Sequence, residues 1–322
     1  MLATMKRISL TDELAAPSAD EKFRKYRELW SMAGKQAVLT DFPLHLDIEL
    51  SSLCNLKCKN CFQNGLMSGP RGFMEFDLFR KVITEGVARG LCAVKLQVRG
   101  ESFLHPQLVE CIRFAKAAGI MDVQITSNST IMDEPLAMRL VDSGLDGIIF
   151  SFDSHHREVC DELAYQNVEK NIRTFLQVRK SSGRPSPWVR IQASIDEAEP
   201  QRYAEIESDI RRRFADADTI AVNRMQNYRY DQDSYPDLST HHELLPCNYL
   251  MQRLVVYWNG EVTVCCMDYN GVFGLGNVNE TSIHGIWNSE RINLMREKHL
   301  TGQRKDIEAC GHCQVAIRRV HP

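Results

Sequence analysis

An α/β fold is predicted: a partial (β/α)6 barrel followed by a small hairpin-plus-helix unit. Two observations predict it. From Leu44 onward, short segments of alternating apolar and polar residues are followed by longer stretches of helical periodicity, in six successive units. Such alternation builds a parallel sheet with helices outside, and six units fall short of the eight that close a barrel. After about residue 225 the pattern stops. A polar, turn-rich stretch leads into RLVVYWNGEVTVCC, which reads as a hairpin turning at Asn259-Gly260.

Residues 1–43 are charged and helical in pattern and read as an N-terminal cap. Strand one is LHLDIEL, where Leu44, Leu46, Ile48 and Leu50 alternate with polar residues. A polar, cysteine-bearing loop follows, then the helical FDLFRKVITEGVARG. AVKLQV is strand two, and HPQLVECIRFAKAAG is a helix stopped by Gly119. MDVQIT is strand three. The next helix has Asp133 as its N-cap and Pro135 in its first turn. GIIFSF is strand four, with a long helix through Val178 behind it. WVRIQASI and TIAV are strands five and six, separated by the helical PQRYAEIESDIRRRF. Residues 44–225 are thus the core, and 226–322 a second, smaller unit.

The chain has 322 residues, 43% of them hydrophobic, enough for one large domain and a small one. A net charge of −3 with interspersed signs argues against nucleic-acid or membrane-surface binding. No apolar run approaches the ~20 residues of a membrane span. The N-terminus is too charged for a secretory signal, so a cytoplasmic location is expected. In that reducing compartment eleven cysteines argue for metal or redox chemistry. Cys92, Cys111 and Cys160 lie in apolar or helical surroundings and read as packing residues.

Cys54, Cys58 and Cys61 form a C-x3-C-x2-C loop directly after strand one. Three such thiolates can hold three irons of a four-iron cluster and leave the fourth open. Zinc, which prefers two C-x2-C pairs, fits this spacing poorly, and the loop is too polar to be core. A second set comprises Cys247 before the hairpin, Cys265 and Cys266 at its end, and the C-x2-C pair Cys310 and Cys313. Four of these can close a complete site, for zinc or for a cluster. If the strand persists through them, Cys265 and Cys266 point to opposite faces, and only one then serves a given site.

The C-x3-C-x2-C loop after a first strand resembles the radical S-adenosylmethionine (radical SAM) superfamily. Arg99-Gly100-Glu101-Ser102 after strand two resembles its Gly-Gly-Glu-Pro motif, which holds the methionyl amino group. Thr126-Ser127-Asn128 resembles its T-[TS]-N-G stretch, and Ser151-Phe152-Asp153 its ribose and carboxylate contacts. The resemblance therefore implies Gly100, Glu101, Ser102, Asn128, Ser151 and Asp153 as cofactor-binding residues. Three positions depart from the pattern: Asn60 before the third cysteine, Ser102 for proline and Ser129 for glycine. The spacing Gly260-x4-Cys265, with Leu275-Gly276-Asn277-Val278 and Ile286-Trp287-Asn288, resembles the SPASM/twitch auxiliary-cluster domains. With one short cysteine set, the likeness is to the twitch type. It implies a single auxiliary [4Fe-4S] cluster held by Cys247, Cys265, Cys310 and Cys313, and it favours Cys265 over Cys266.

In this family a reduced [4Fe-4S] cluster binds S-adenosylmethionine at its open iron, and a deoxyadenosyl radical then abstracts hydrogen from substrate. An auxiliary cluster can accept an electron, which implies oxidation ahead of epimerisation. A small sugar-like or aminocyclitol alcohol is the expected substrate, with a flavodoxin or ferredoxin-type reductant as partner. A peptide-modifying maturase is the alternative, although 43 residues before strand one are few for a leader-binding domain. A non-catalytic iron–sulfur protein is the third reading. No catalytic acid or base is assigned. Arg190 and Gln192 share a face of strand five, and the Tyr228–Arg229–Tyr230 patch and His241–His242 read as solvated loop residues.

Overall fold

The computed structural model describes all residues except 1, 3, 4, 16, 17, 59, 60, 153–161, 196–201, 225–241, 312, 314–316 and 320–322. Six parallel strands follow one another across a single sheet: β3 (His45–Ile48), β4 (Ala93–Lys95), β5 (Asp122–Ser127), β6 (Gly147–Ser151), β7 (Trp188–Ile195) and β8 (Thr219–Arg224). Their register runs from His45 opposite Ala93 to Ile195 opposite Arg224. Helices α3 (Phe76–Ala88), α4 (Leu108–Ala118), α5 (Glu134–Val141), α6 (Glu162–Ser182) and α7 (Arg202–Arg213) connect them in turn. This is the predicted α/β architecture.

Local signals act as expected. Helix α4 buries Leu108, Val109, Cys111, Ile112 and Ala115 and ends at Gly119, whose φ of 106° suits a residue without a side chain. Asp133 caps α5 by accepting the Leu136 N–H at 2.8 Å. Cys92 and Cys111 are buried in the core, where burial pushes both thiols up to about 12, as inert packing residues should be. Cys160 lies outside the described residues.

The N-terminal cap differs from the all-helical expectation. Helix α1 (Leu10–Glu13) and the longer α2 (Ala19–Gly34) are flanked by β1 (Lys6–Ile8) and β2 (Val38–Thr40), which pair in parallel as a separate two-stranded sheet. Strands of three residues are too short to show a period.

The C-terminal hairpin is not a free-standing unit. Its first strand, β10 (Arg253–Val256), joins β3 in parallel and extends the core sheet. Strands β11 (Glu261–Thr263) and β12 (Gly276–Asn277) follow antiparallel, giving nine strands in the order β12-β11-β10-β3-β4-β5-β6-β7-β8. The hairpin turns through Trp258, Asn259 and Gly260. The Gly260 N–H bonds Tyr257 O at 2.9 Å, and Gly260 takes a φ of 87°, the three-residue turn that ends in a left-handed glycine. The polar stretch before the hairpin contributes a further strand, β9 (His242–Leu244), paired antiparallel with β13 (Ile317–Arg319). Short helices α8 (Tyr249–Gln252), α9 (Ile283–Trp287), α10 (Glu290–Leu300) and α11 (Glu308–Gly311) complete this part. Trp287, fully buried, donates its indole N–H to Thr40 O at 2.8 Å, and Asn288 donates to Asp41 O at 2.9 Å. The Ile286-Trp287-Asn288 segment thus fastens the C-terminal part to the N-terminal cap.

Candidate functional site

Residues from every strand from β3 to β8 surround a cavity of about 650 Å³ at the sheet's carboxyl edge. Ligand sites of parallel α/β folds lie there because the loops carrying chemistry all emerge at that end. Cys54, Cys58 and Cys61 line it, as do Gly100, Glu101, Asn128 and Ser151. Ser102 is not among the lining residues. A 3-10 turn over Ser102–Leu104 rotates it inward, and its hydroxyl donates to Leu96 O at 2.6 Å. Asp153 and Asn60 lie outside the described residues.

The cysteine loop is folded tightly against its neighbours. The Cys61 N–H donates to Cys58 O at 3.0 Å, which puts the second and third cysteines on one turn. Gln63 is buried and donates to Ser52 O (3.0 Å) and Arg99 O (2.8 Å), tying this loop to the one after β4. Gly100 packs against the same backbone. A Cβ there would stand 2.2 Å from Ser51 O and 2.5 Å from Leu53 O, a contact no side chain can make. The close approach lets the Glu101 N–H reach Leu53 O at 2.8 Å.

Glu101 is buried and held on both oxygens. Oε1 accepts from the Ser127 hydroxyl (2.8 Å) and the Phe103 N–H (3.0 Å), and Oε2 accepts from the Asn128 N–H (2.8 Å). Burial nonetheless pushes its carboxyl above the usual range, because these bonds offset desolvation only in part. Asn128 in turn reaches Asn55 Oδ1 at 3.0 Å, linking the β5 loop to the cysteine loop. Ser129, where the family pattern has glycine, keeps a glycine-like φ of 61°.

Sequence reasoning did not find the ion pair that supports this motif. Arg99 donates from Nε to Glu49 Oε1 at 2.7 Å and from Nη2 to Glu49 Oε2. Its guanidinium lies 3.7 Å from the centre of the Tyr257 ring, and Nη1 donates to Tyr269 O at 3.0 Å. One side chain thereby joins β3, the β4 loop and the hairpin. The signal available was Glu49 itself, an acidic residue directly before the cysteine loop.

The second cysteine set gathers behind the hairpin. Cys247, Cys310 and Cys313 lie close enough to perturb one another, and Cys265 feels Cys247. Burial, with the Cys247 and Cys313 thiols adding, pushes Cys310 up to about 12. Arg304 organises the group by donating to Cys310 O (2.9 Å), Cys313 O (2.9 Å) and Leu245 O (3.0 Å). The Cys247 N–H donates to His299 Nδ1 at 3.1 Å. Strand β11 ends at Thr263, so Cys265 and Cys266 are not split across two strand faces as expected; Cys266 lines the cavity. Cys265 is hydrogen bonded to it and Arg253 stands beside it, and together they hold its thiol below the ordinary value.

The donor set fits an iron–sulfur cluster with a polar ligand beside it. None of the described cysteines is in a disulfide. Burial pushes the Cys54 and Cys61 thiols up, and a cationic metal centre is what would ionise them. Thr126 Oγ1 is buried in the wall with no hydrogen-bond partner among the described residues, which leaves a polar group for a ligand. Among the described residues, no three Cys, His, Asp or Glu side chains converge on a single metal ion.

A model of the radical SAM superfamily matches residues 48–191, and one of SPASM, an iron–sulfur cluster-binding domain, matches residues 247–314. The chain is similar to a tungsten-containing aldehyde ferredoxin oxidoreductase cofactor-modifying protein of Pyrococcus furiosus, 21% identical over 299 residues, covering 78% of this chain and 83% of that one. It is 33% identical over 169 residues to a GTP 3',8-cyclase of Chlorobaculum tepidum, covering 49% of this chain and only 48% of the cyclase, about half its length. Its fold is similar to that of BtrN in complex with AdoMet and 2-DOIA, with a TM-score of 0.59 and 16% identity over 84% of this chain and 92% of that one. It is also similar to anSMEcpe with bound AdoMet and Cp18Cys peptide, with a TM-score of 0.59 and 17% identity over 84% and 86%. Both domain models are matched, each on one of the two cysteine groups, and the chain carries a radical SAM domain followed by a SPASM domain.

Proposed function

We propose that the protein oxidises an alcohol of a small sugar-like or aminocyclitol substrate by hydrogen-atom abstraction. One observation carries this reading: the cavity lies between the two cysteine groups. Cys54, Cys58 and Cys61 line one wall. Cys266 lines another, and its neighbour Cys265 is hydrogen bonded to it and lies near enough to Cys247 to feel its charge. A four-iron cluster with S-adenosylmethionine supplies, when bound, a deoxyadenosyl radical able to remove a hydrogen atom.

The residues present suit each part of that task. Cys54, Cys58 and Cys61 would hold the cluster, and Cys247, Cys265, Cys310 and Cys313 the auxiliary one. The Glu101 carboxylate, fixed by three donors, would accept a hydrogen bond from a cationic amine. Gly100 lets the backbone approach, and Asn128 and Ser151 offer polar groups on the same wall. Gln97, Gln192, Ser194 and Asn223 present amides and a hydroxyl toward the remaining space, which suits a hydroxyl-rich molecule. The cavity volume is that of a small-molecule site. A peptide is the second reading, supported by the likeness to anSMEcpe, whose structure holds a Cp18Cys peptide.

The test is anaerobic reconstitution, dithionite reduction and incubation with S-adenosylmethionine and candidate sugar alcohols. Deoxyadenosine and a two-electron-oxidised product are expected in equal amounts. Deoxyadenosine without an oxidised product sinks oxidation, and solvent deuterium in a recovered sugar then identifies epimerisation. Turnover of a cysteine-containing peptide alone would establish the second reading. Absence of cleavage with intact clusters would leave a non-catalytic iron–sulfur protein.

A further inference from the structure

The cavity holds a charged layer that none of the motif residues explains. Asp47 of β3 and Lys95 of β4 are register partners, and Arg253 opens the adjoining β10. All three line the cavity. Arg253 is fixed on three sides. Nη1 lies 3.0 Å from Asp47 Oδ2, the guanidinium lies 3.5 Å from the Tyr249 ring centre, and Nη2 lies 3.5 Å from Cys266 Sγ. Its Nε is buried with no hydrogen-bond partner among the described residues.

The negative charge available here is already shared. The second Asp47 oxygen, Oδ1, lies 3.1 Å from His45 Nε2, and Oδ2 is ion-paired with Arg253 but has no hydrogen bond among the described residues, so one carboxylate faces two cations, Arg253 and Lys95. Glu101, the other acid on the cavity wall, is taken up by Ser127, Asn128 and Phe103. The Lys95 ammonium has neither a hydrogen bond nor an ion pair among the described residues. The ionisable groups around it are Asp47, Cys266, Arg253 and Arg190, two of them cations. Burial disfavours its charged form. A Cys266 thiolate would reduce the excess charge, yet it would leave the ammonium without a direct acceptor. Lys95 is half-buried and lines the cavity, so an anion bound there would give its ammonium the acceptor it lacks.

We propose that Lys95 and Arg253 form an anion-binding subsite and that the substrate carries a phosphate or carboxylate there. The inference rests on the substrate-cavity reading above and narrows its sugar-like class to phosphorylated or acidic members. Arg253, with Nη1 on Asp47 and Nη2 on Cys266, is a cation fixed in the wall whose remaining Nη N–H groups can donate to an anion. Lys95 adds a point charge on the neighbouring strand.

Calorimetric titration tests it on the anaerobically reconstituted protein with S-adenosylmethionine present. The probes are inorganic phosphate, D-glucuronate and D-glucose. Saturable binding of at least one anion is expected, at least tenfold tighter than glucose. A phosphate response assigns a phosphate group, and a glucuronate response a carboxylate. Lys95→Met should weaken the anion at least tenfold, Lys95→Arg should stay within threefold of wild type, and the exposed Lys22→Met should change nothing. If circular dichroism shows Lys95→Met to be unfolded, Lys95→Gln makes the same comparison. Absence of anion binding, or equal binding by wild type and the methionine variant, overturns the proposal. Failure of the wild type to cleave S-adenosylmethionine, with anion binding intact, would remove the enzyme reading and leave the subsite standing.

Discussion

Glu101 and Ser129 show how the chain treats motif positions one residue at a time. Free of ligand, Glu101 is a carboxyl raised by burial, so it keeps its proton to a higher pH than an ordinary glutamate. Only its ionised form attracts an ammonium group. S-adenosylmethionine affinity should therefore rise with pH through that raised value and level off above it. Glu101→Gln should flatten the profile and weaken binding by roughly tenfold to a hundredfold, the ~1.5–3 kcal/mol of a charged hydrogen bond. Equilibrium dialysis between pH 5 and 8 reads both effects. Ser129 occupies a left-handed conformation, and its buried hydroxyl oxygen has no hydrogen-bond partner among the described residues. Relief of about 1–2 kcal/mol of backbone strain, less the ~0.4–1 kcal/mol that glycine's freedom costs, makes Ser129→Gly mildly stabilising. Its melting temperature should rise by a degree or two, and a fall would contradict this account. The sequence reading marked Ser129 as a departure from the family. It could not show that the backbone had kept the glycine's geometry, because φ is a property of the folded loop.

The β10–β3 strand pair and the Arg99–Glu49 ion pair both connect the core to the C-terminal part. Removing the cation with Arg99→Met would strand a fully buried carboxylate and should cost roughly 3–5 kcal/mol. Thermal unfolding measures that, and a loss below 1 kcal/mol would show Glu49 to be neutral in the fold. Just past β11, Cys265 lies near Cys247 and is hydrogen bonded to Cys266, which lines the cavity. Cys265→Ser should lower the iron content by about one cluster per chain, and Cys266→Ser should leave it unchanged, as counted by colorimetric iron assay. The parallel core strands and their helices were legible because apolar alternation and caps are local signals; Asp133 and Gly119 behave as read. The β1–β2 pair was hidden by its shortness. Arg99 was legible as part of a motif and its partner Glu49 was not, since 50 residues separate them and only folding reveals the bond.

At the scale of the whole molecule, the sheet is built from both ends of the chain. The cysteine loop after β3 is covered by the segment beyond the hairpin. Phe62 stacks on Tyr269 at 5.3 Å, and the Ser68 N–H donates to Asn270 Oδ1 at 2.9 Å. Nothing in the residues of β10 announces β3 as its partner, so the pairing was invisible to a local reading. The Trp258 N–H that reaches Glu49 spans 209 residues. Such a long-range strand pair has a consequence in time. During synthesis β3 emerges early, and one of its edges stays unpaired until the hairpin leaves the ribosome. Open strand edges recruit other strands. A chain ending at residue 244 should therefore self-associate, which size-exclusion chromatography would show. By the same order of events, the first cysteine loop stays uncovered through most of translation. Nascent protein thus offers its three thiols to a cluster donor before the roof closes over them.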